Sequence, residues 1–396
     1  MRVLISAHDE ISHLQPLVPL SWALRSAGHQ VLAAVPASLA AQVHALGLDT
    51  AVLRHDSDVV AALRTAIRNA GPDAVPVAIW PRPDQPFWRR IATRFADTVR
   101  RTLPDYLAVA RDWAPDLIIC DPMEASGRLA AGCLGIPVVQ HRWGIDVTAG
   151  AFAERFGELL DPDARELGLP GVPPPDLIVD PCPAALQLPG IPPGRRVRYV
   201  PSNGYGSLPD WARRPATVPR ICVTMGTKVH DLGLRRVARW VFEGIAALGR
   251  DVEVVLAMAD LEPSDVAPIA DRVIAAGPVP LGVVLDRCAV VVHHGGQGTG
   301  LTAAVAGVPQ LALPQFVDQF AFAEQAETCG IGIGLGTFER QQDPIQVRDA
   351  LDTLLTEARH RAAARGLADE IRRTPPPASL VPELERLAAR RRAPVG

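Results

Sequence analysis

Short apolar runs alternate with helix-spaced segments in two separate series along this chain, and a proline-dense stretch divides them. Brief aliphatic runs bounded by polar or glycine positions suit strands buried on both faces, and helices between them imply parallel pairing. The first series reads "RVLIS", "LQPLVPLSWALRSAG" with its stop at Gly28, "QVLAAV", and a further strand in "LGLDTAVL". The pattern weakens between about 55 and 100, then resumes with "TVRRTLPDYLAVARDW", "PDLIICD", "ASGRLAAGCLG" and "IPVVQH". From Pro162 to Pro219 prolines crowd the sequence, a composition expected of connections and a linker. The second series runs "RICVTMG", "LRRVARWVFEGIAAL", "DVEVVLAM", "DRVIAAG", "CAVVVHH", "GLTAAVAG", "PQLALP", "QFAFAEQAETCG" and "IGIGL". This rhythm predicts an α/β protein of two Rossmann-like, parallel-sheet domains facing a central cleft. The expected division is residues 1–206 and 207–375, with a terminal helical segment, 376–396, packing back on the first domain.

Bulk properties narrow the function. A chain of 396 residues, 48% hydrophobic and 21% charged, buries a substantial core and is not disordered. The net charge of −3 gives no electrostatic reason to expect nucleic acid as a partner. Six cysteines occur without a C-x-x-C pair, several within apolar runs, which favours buried free thiols and a reducing cytoplasm. No run approaches the ~18 apolar residues of a spanning helix, and "MRVLISAHDE" is too short in its apolar part for a signal peptide. A cytoplasmic location without stable membrane insertion is therefore expected, and a homodimer is left open.

The segment "VVVHHGGQGTGL", residues 290–301, carries the strongest chemical signal. A strand ends at His293 and His294, glycines follow, and a helix is expected to begin near Thr299. Glycines let backbone approach a ligand, and free amides at a helix start favour an anion. A dinucleotide is disfavoured, because its G-x-G-x-x-G fingerprint needs a glycine where Leu301 stands. Two more strand ends should face the same crevice: Gly226 and Thr227 in "VTMGTKVH", and Asp318 and Gln319 after "PQLALP". An acid beside an amide offers acceptors and donors suited to sugar hydroxyls, although Asp318 is equally placed to cap the next helix.

A second cluster lies in "SAHDEISHLQP", residues 6–16, with His8 and His13 in one strand-to-helix connection. A neutral histidine suits general-base work near pH 7. His13 is expected at a helix start, where the dipole keeps the ring neutral, with Ser12 and Gln15 as a capping box. His8 is the rival, but the adjacent Asp9 would favour its charged form. A carboxylate that orients the base is expected from Asp121, at the end of "PDLIICD", or failing that from Glu124; Asp121 also precedes Pro122 and suits a turn start. The triplets Asp56-Ser57-Asp58 and Asp161-Pro162-Asp163 read as solvated loop acids, so no metal site is expected. Trp80, Phe87, Trp88, Phe95, Trp143, Phe152 and Phe156 are candidates to line a wide apolar pocket in the first domain.

The stretch "GPVPLGVVLDRCAVVVHHGGQGTGLTAAVAGVPQLALPQFVDQFAFAEQA", with "SHLQPLVPLSWALRSAGHQV", "PDLIICD" and "TMGT", resembles the GT-B-fold glycosyltransferases of bacterial natural-product biosynthesis. The resemblance implies inverting, metal-independent transfer of a deoxysugar from a dTDP or UDP carrier to an apolar aglycone such as a polyketide, without a cofactor. It implies His13 as base, Asp121 as its partner, and Gly226, Thr227, His293, Gly295, Gly296, Gly298 and Thr299 around the diphosphate. Asp318 and Gln319 would hold the sugar, and the backbone of Val279 would contact the base, where Pro278 replaces the family's usual aromatic residue. Alternatives are a GT-B-fold nucleotide-sugar epimerase and a non-catalytic homologue that assists a partner transferase.

Overall fold

A computed structural model describes the chain except residues 56–58, 72–73, 80–81, 203, 205, 227–232, 260 and 391–396 and the side chains of 59–63. Thr227, Trp80 and the triplet at 56–58 thus lie outside the described residues.

Among the described residues, the first sheet holds β1 (Arg2–Ser6), β2 (Gln30–Pro36), β3 (Asp49–Leu53), β4 (Leu117–Cys120), β5 (Val138–His141), β6 (Leu177–Asp180) and β7 (Arg195–Arg196). Their order is β3-β2-β1-β4-β5-β6-β7, with every pairing parallel. The second sheet holds β8 (Arg220–Thr224), β9 (Glu253–Leu256), β10 (Val273–Ala276), β11 (Val290–His293), β12 (Gln310–Ala312) and β13 (Gly332–Gly334). It is ordered β10-β9-β8-β11-β12-β13 and is also wholly parallel. Both sheets are the doubly wound type, two Rossmann-like domains of the GT-B arrangement. Strands β4, β8 and β11 are buried at every position, which explains the apolar runs at their centres, with polar residues only at the ends of β8 and β11. The order reverses between β1 and β4 in one sheet and between β8 and β11 in the other. Those two reversals are where crevices open beyond the strand ends.

Several local expectations need correction. The proline-dense stretch is more than linker: it contains β6 and β7, with prolines flanking "LIVD" rather than interrupting its ladder. The anticipated capping box does not form. The first helix is a single turn, Ile11–Leu14, whose N-cap is Glu10 without a side-chain cap bond, and His13 stands in its last turn. The glycine-loop helix begins at Gln297, not Thr299. Part of the weakly patterned segment turns away from the first domain, because Ile67, Val75 and Val77 are buried in one cluster with Val241, Phe242 and Leu313. At the other end of the chain, Leu380, Val381, Leu384 and Ala388 are buried against Val3, Leu14 and Leu20 of the first domain.

Candidate active site

His13 is positioned by the loop leaving β1, and Asp121 directly follows β4, so the β1–β4 pairing sets them together. The His13 Nδ1 lies 3.4 Å from Asp121 Oδ2, an ion-pair distance without the alignment of a hydrogen bond. Asp121 is fully buried and pinned: its Oδ2 accepts from the His8 backbone N–H at 2.6 Å and its Oδ1 from that of Met123 at 2.6 Å. The second of these is the turn that Asp121-Pro122 invited, so Asp121 starts a turn and faces His13 at once. With Nδ1 turned toward the carboxylate, His13 Nε2 is left for a substrate.

Electrostatics reverse the charge tendencies expected of the two histidines. Burial lowers the His13 pKa, but Asp121, followed by Asp318 and Glu10, outweighs it, and the net direction is upward from 6.5. The helix dipole therefore does not govern this ring. His8 is driven down to about 3 by burial and by its neighbour His13, against the pull of Asp121. It is the member of the pair that stays neutral near pH 7, contrary to the influence expected from Asp9. Glu124 is unsuited to orient the base. Its Oε1 accepts from the Ser126 N–H at 2.5 Å, and burial lifts its pKa to about 8.

Aromatic residues surround the pair. The His13 ring centroid lies 4.5 Å from that of Trp143, and His8 lies 4.6 Å from Phe95. Phe95 packs on Phe152, which packs on Phe156. Phe95, Phe152 and Phe156 are buried, whereas Phe87 and Trp88 stay half-buried and touch each other. Asp161 and Asp163 lie within the helix Ala151–Glu166, where Asp163 pairs with Arg100 at 3.1 Å. Among the described residues, no cluster of three or more His, Cys, Asp or Glu could hold a metal.

Across the cleft, the other reversal supplies the glycine loop. The His293 ring is fully committed: Nδ1 accepts from the Gly295 N–H at 3.0 Å, so Nε2 carries the proton and donates to Gln310 Oε1 at 2.9 Å. It shapes the turn from beneath. His294 instead wedges between two glycines. A Cβ at Gly226 would stand 2.6 Å from its ring and one at Gly296 only 2.4 Å, so neither position admits a side chain. Its Nδ1 is buried without a hydrogen-bond partner, and burial holds the ring neutral, with a pKa of about 4. Gly295, at φ +83°, approaches the Gln319 carbonyl so closely that a Cβ would lie 3.0 Å from it.

Asp318 is the first residue of the helix Asp318–Thr328; the N-cap is Val317, held at φ 53°. Asp318 is thus not spent on capping. Burial pushes its carboxyl upward, opposed first by His13 and then by its own backbone and Gln297, so charges of the two domains act on each other. Gln319 Oε1 accepts from the Gln315 N–H at 2.9 Å. Val279 lies between β10 and the short helix Leu281–Val284, half-buried. Sequence reasoning missed Gln297, whose buried amide reaches the first domain, and the only available signal was one long polar side chain among glycines in "GGQGTG".

Residues 22–226 match the family model described as erythromycin biosynthesis protein CIII-like, N-terminal domain, and residues 239–387 match its C-terminal counterpart. The chain is 35% identical to an L-demethylnoviosyl transferase of Streptomyces niveus, over 99% of each chain. It is 31% identical to a 3-alpha-mycarosylerythronolide B desosaminyl transferase of Saccharopolyspora erythraea, over 100% of both. A solved spinosyn rhamnosyltransferase complexed with thymidine diphosphate is similar with a TM-score of 0.83 at 37% identity, covering 97% of this chain and 100% of that one.

Proposed function

This chain belongs to the erythromycin biosynthesis protein CIII-like glycosyltransferases, enzymes of antibiotic pathways, and on that premise we propose inverting transfer of a deoxysugar from a dTDP carrier to a polyketide-type aglycone. The observation that carries this reading is the pairing of two strand-order reversals. One presents His13 braced by Asp121, and the other presents a glycine loop with Asp318 within electrostatic reach of that histidine.

In this mechanism His13 Nε2 takes the proton of an acceptor hydroxyl as its oxygen attacks the anomeric carbon. The bond from that carbon to the diphosphate oxygen breaks on the opposite face, which inverts configuration. Asp121 stabilises the imidazolium that forms. The leaving diphosphate meets backbone amides between Gly296 and Thr299 at the start of the helix Gln297–Ala306, with the His294 ring packed against the glycines behind them. Gly226 leaves room for that ring, and Asp318 with Gln319 faces the sugar. No metal is required in this scheme, since amides and the helix start supply the compensating charge. The thymine base is favoured over uracil because the similar rhamnosyltransferase structure contains thymidine diphosphate. The buried aromatic set around His8 and Trp143 favours an apolar acceptor.

The test is a panel of dTDP- and UDP-hexoses against an anthracyclinone and a macrolactone. Wild type should transfer from a dTDP donor with the product anomer opposite to the donor's, and turnover should survive a chelator. His13→Ala should cost about 10²–10⁴-fold in kcat, the usual scale of general-base loss, with calorimetric thymidine-diphosphate binding near wild type. Unchanged turnover in that variant removes His13 as the base, and a retained anomer removes the inverting scheme.

A further inference from the structure

We propose that Gln297 is a positioning residue for the transfer reaction: its carboxamide clasps the backbone of Ile145 across the cleft and so fixes the Trp143 ring against His13. This rests on the function proposed above and concerns how the two halves of that site are held in register.

Gln297 opens the helix that starts in the glycine loop, and its side chain is only 5% exposed. Its Oε1 accepts from the Ile145 N–H at 3.0 Å, and its Nε2 donates to the Ile145 carbonyl at 3.2 Å. Bonding both groups of one residue copies a strand pairing, which fixes orientation as well as distance. Gly144 makes the approach possible, because a Cβ there would stand 2.4 Å from Gln297 Oε1.

The clasped loop is stiff on its own side. Arg142, 1% exposed, donates to Asp146 at 2.7 Å, to Asp180 at 2.9 Å and to the Pro192 carbonyl at 2.7 Å. Gln187 accepts from the Asp146 N–H at 2.9 Å and donates to the Gly144 carbonyl at 3.2 Å. A loop satisfied this completely transmits a displacement instead of absorbing it. Trp143 sits between this anchor and the clasp, with its ring 4.5 Å from that of His13 at an angle of 50°. A shift of the glycine loop therefore reaches the base through two residues.

The experiment uses Gln297→Leu and Gly144→Ala, which break the clasp from opposite domains, each checked for folding by circular dichroism and Tm. The substrates are whichever donor–acceptor pair of the panel wild type turns over. Both variants should lose about 10- to 100-fold in kcat, the scale of an ångström's misplacement, while thymidine-diphosphate Kd stays within about three-fold. Gln297→Leu should add little to Trp143→Leu in the double variant, since both act on the same ring. Parallel loss of nucleotide binding and kcat would show that Gln297 only shapes the phosphate loop and would overturn the proposal. Unchanged kcat, or fully additive effects with Trp143→Leu, would overturn it too. If neither variant folds, the clasp belongs to the fold and the proposal falls. A wild type that binds no thymidine diphosphate overturns the functional reading with it, whereas altered variants are informative only beside a binding wild type.

Discussion

Burial acts on His8 and His13 in the same direction, against the charged ring. What separates them is Asp121, whose Oδ2 faces the His13 ring but meets His8 only through its backbone N–H. A base must be unprotonated to work, so activity should rise with pH through the His13 pKa, which lies above 6.5. Asp121→Asn removes the largest influence that raises this pKa, so the acid limb of kcat/KM should move to lower pH. The plateau should also fall, by about 10²–10⁴-fold, because the neutral amide no longer stabilises the imidazolium. A pH–rate profile of the variant checks both, and an acid limb that stays in place would detach Asp121 from the base. Asp121 was legible in sequence as the residue after a recognisable strand, and His13 as a residue of the connection from the first strand into a helix. Their charge balance was not, since it depends on β1 lying beside β4, a neighbourhood that no local pattern encodes. Gln297 was illegible for the same reason, because its partner is Ile145 of the other domain.

A helix such as Gln297–Ala306 earns its place at the site through what it leans on. Gly300 lies against the helix Asp318–Thr328, and a Cβ there would stand 2.0 Å from the buried Phe322 ring. The two helices that carry the glycine loop and Asp318 thus meet at a point where only hydrogen fits. Gly300→Ala should cost about 1–3 kcal/mol of stability through overpacking, despite alanine's better helix propensity. Gly157, inside the helix Ala151–Glu166, has nothing within 4 Å of its added Cβ and provides the contrast. Gly157→Ala should be neutral or stabilising by up to about 1 kcal/mol. Thermal melts of both variants decide it, and equal effects would dissolve the packing argument. At this scale the strands with unbroken aliphatic runs were readable, because full burial dictates their composition. Strands β6 and β7 were not, since proline density obscured a four-residue and a two-residue ladder. The capping box at Ser12 failed because the helix already begins at Ile11 with Glu10 as its N-cap, which leaves Ser12 inside the first turn, and the chain continues through a 3-10 turn, Gln15–Leu17, into Val18–Ser26.

Across the whole molecule, the cost of keeping histidines neutral sets how the fold responds to acid. His8 and His293 are held at about 3, and His141 and His294 at about 4, each with burial as the leading cause. In the unfolded chain these rings titrate near 6.5, so between that pH and their folded values the unfolded state binds more protons. Their contribution to stability is therefore complete above 6.5 and is lost as pH falls. Glu124 has the opposite sign: with a folded pKa of about 8 against 4.5, its contribution is complete below 4.5 and lost as pH rises. His13, raised from 6.5, also works in this second direction. The four rings lose their contribution together, so lowering pH from about 7 to about 5.5 should lower stability, each ring weighing at most about 1.4 kcal/mol per pH unit. All four histidines stand at or just beyond the carboxyl ends of parallel strands, His8 after β1, His141 in β5, and His293 and His294 at β11, so the loss concentrates on that side of the two sheets. His141, whose Nδ1 bonds the Arg142 carbonyl at 2.7 Å, directly precedes the residue that anchors the Trp143 loop. Tm measured across this pH range should drop steeply on the acid side, and His141→Gln should flatten the slope by removing one titrating ring. A Tm indifferent to pH over that interval would mean that these rings are not held neutral by the fold.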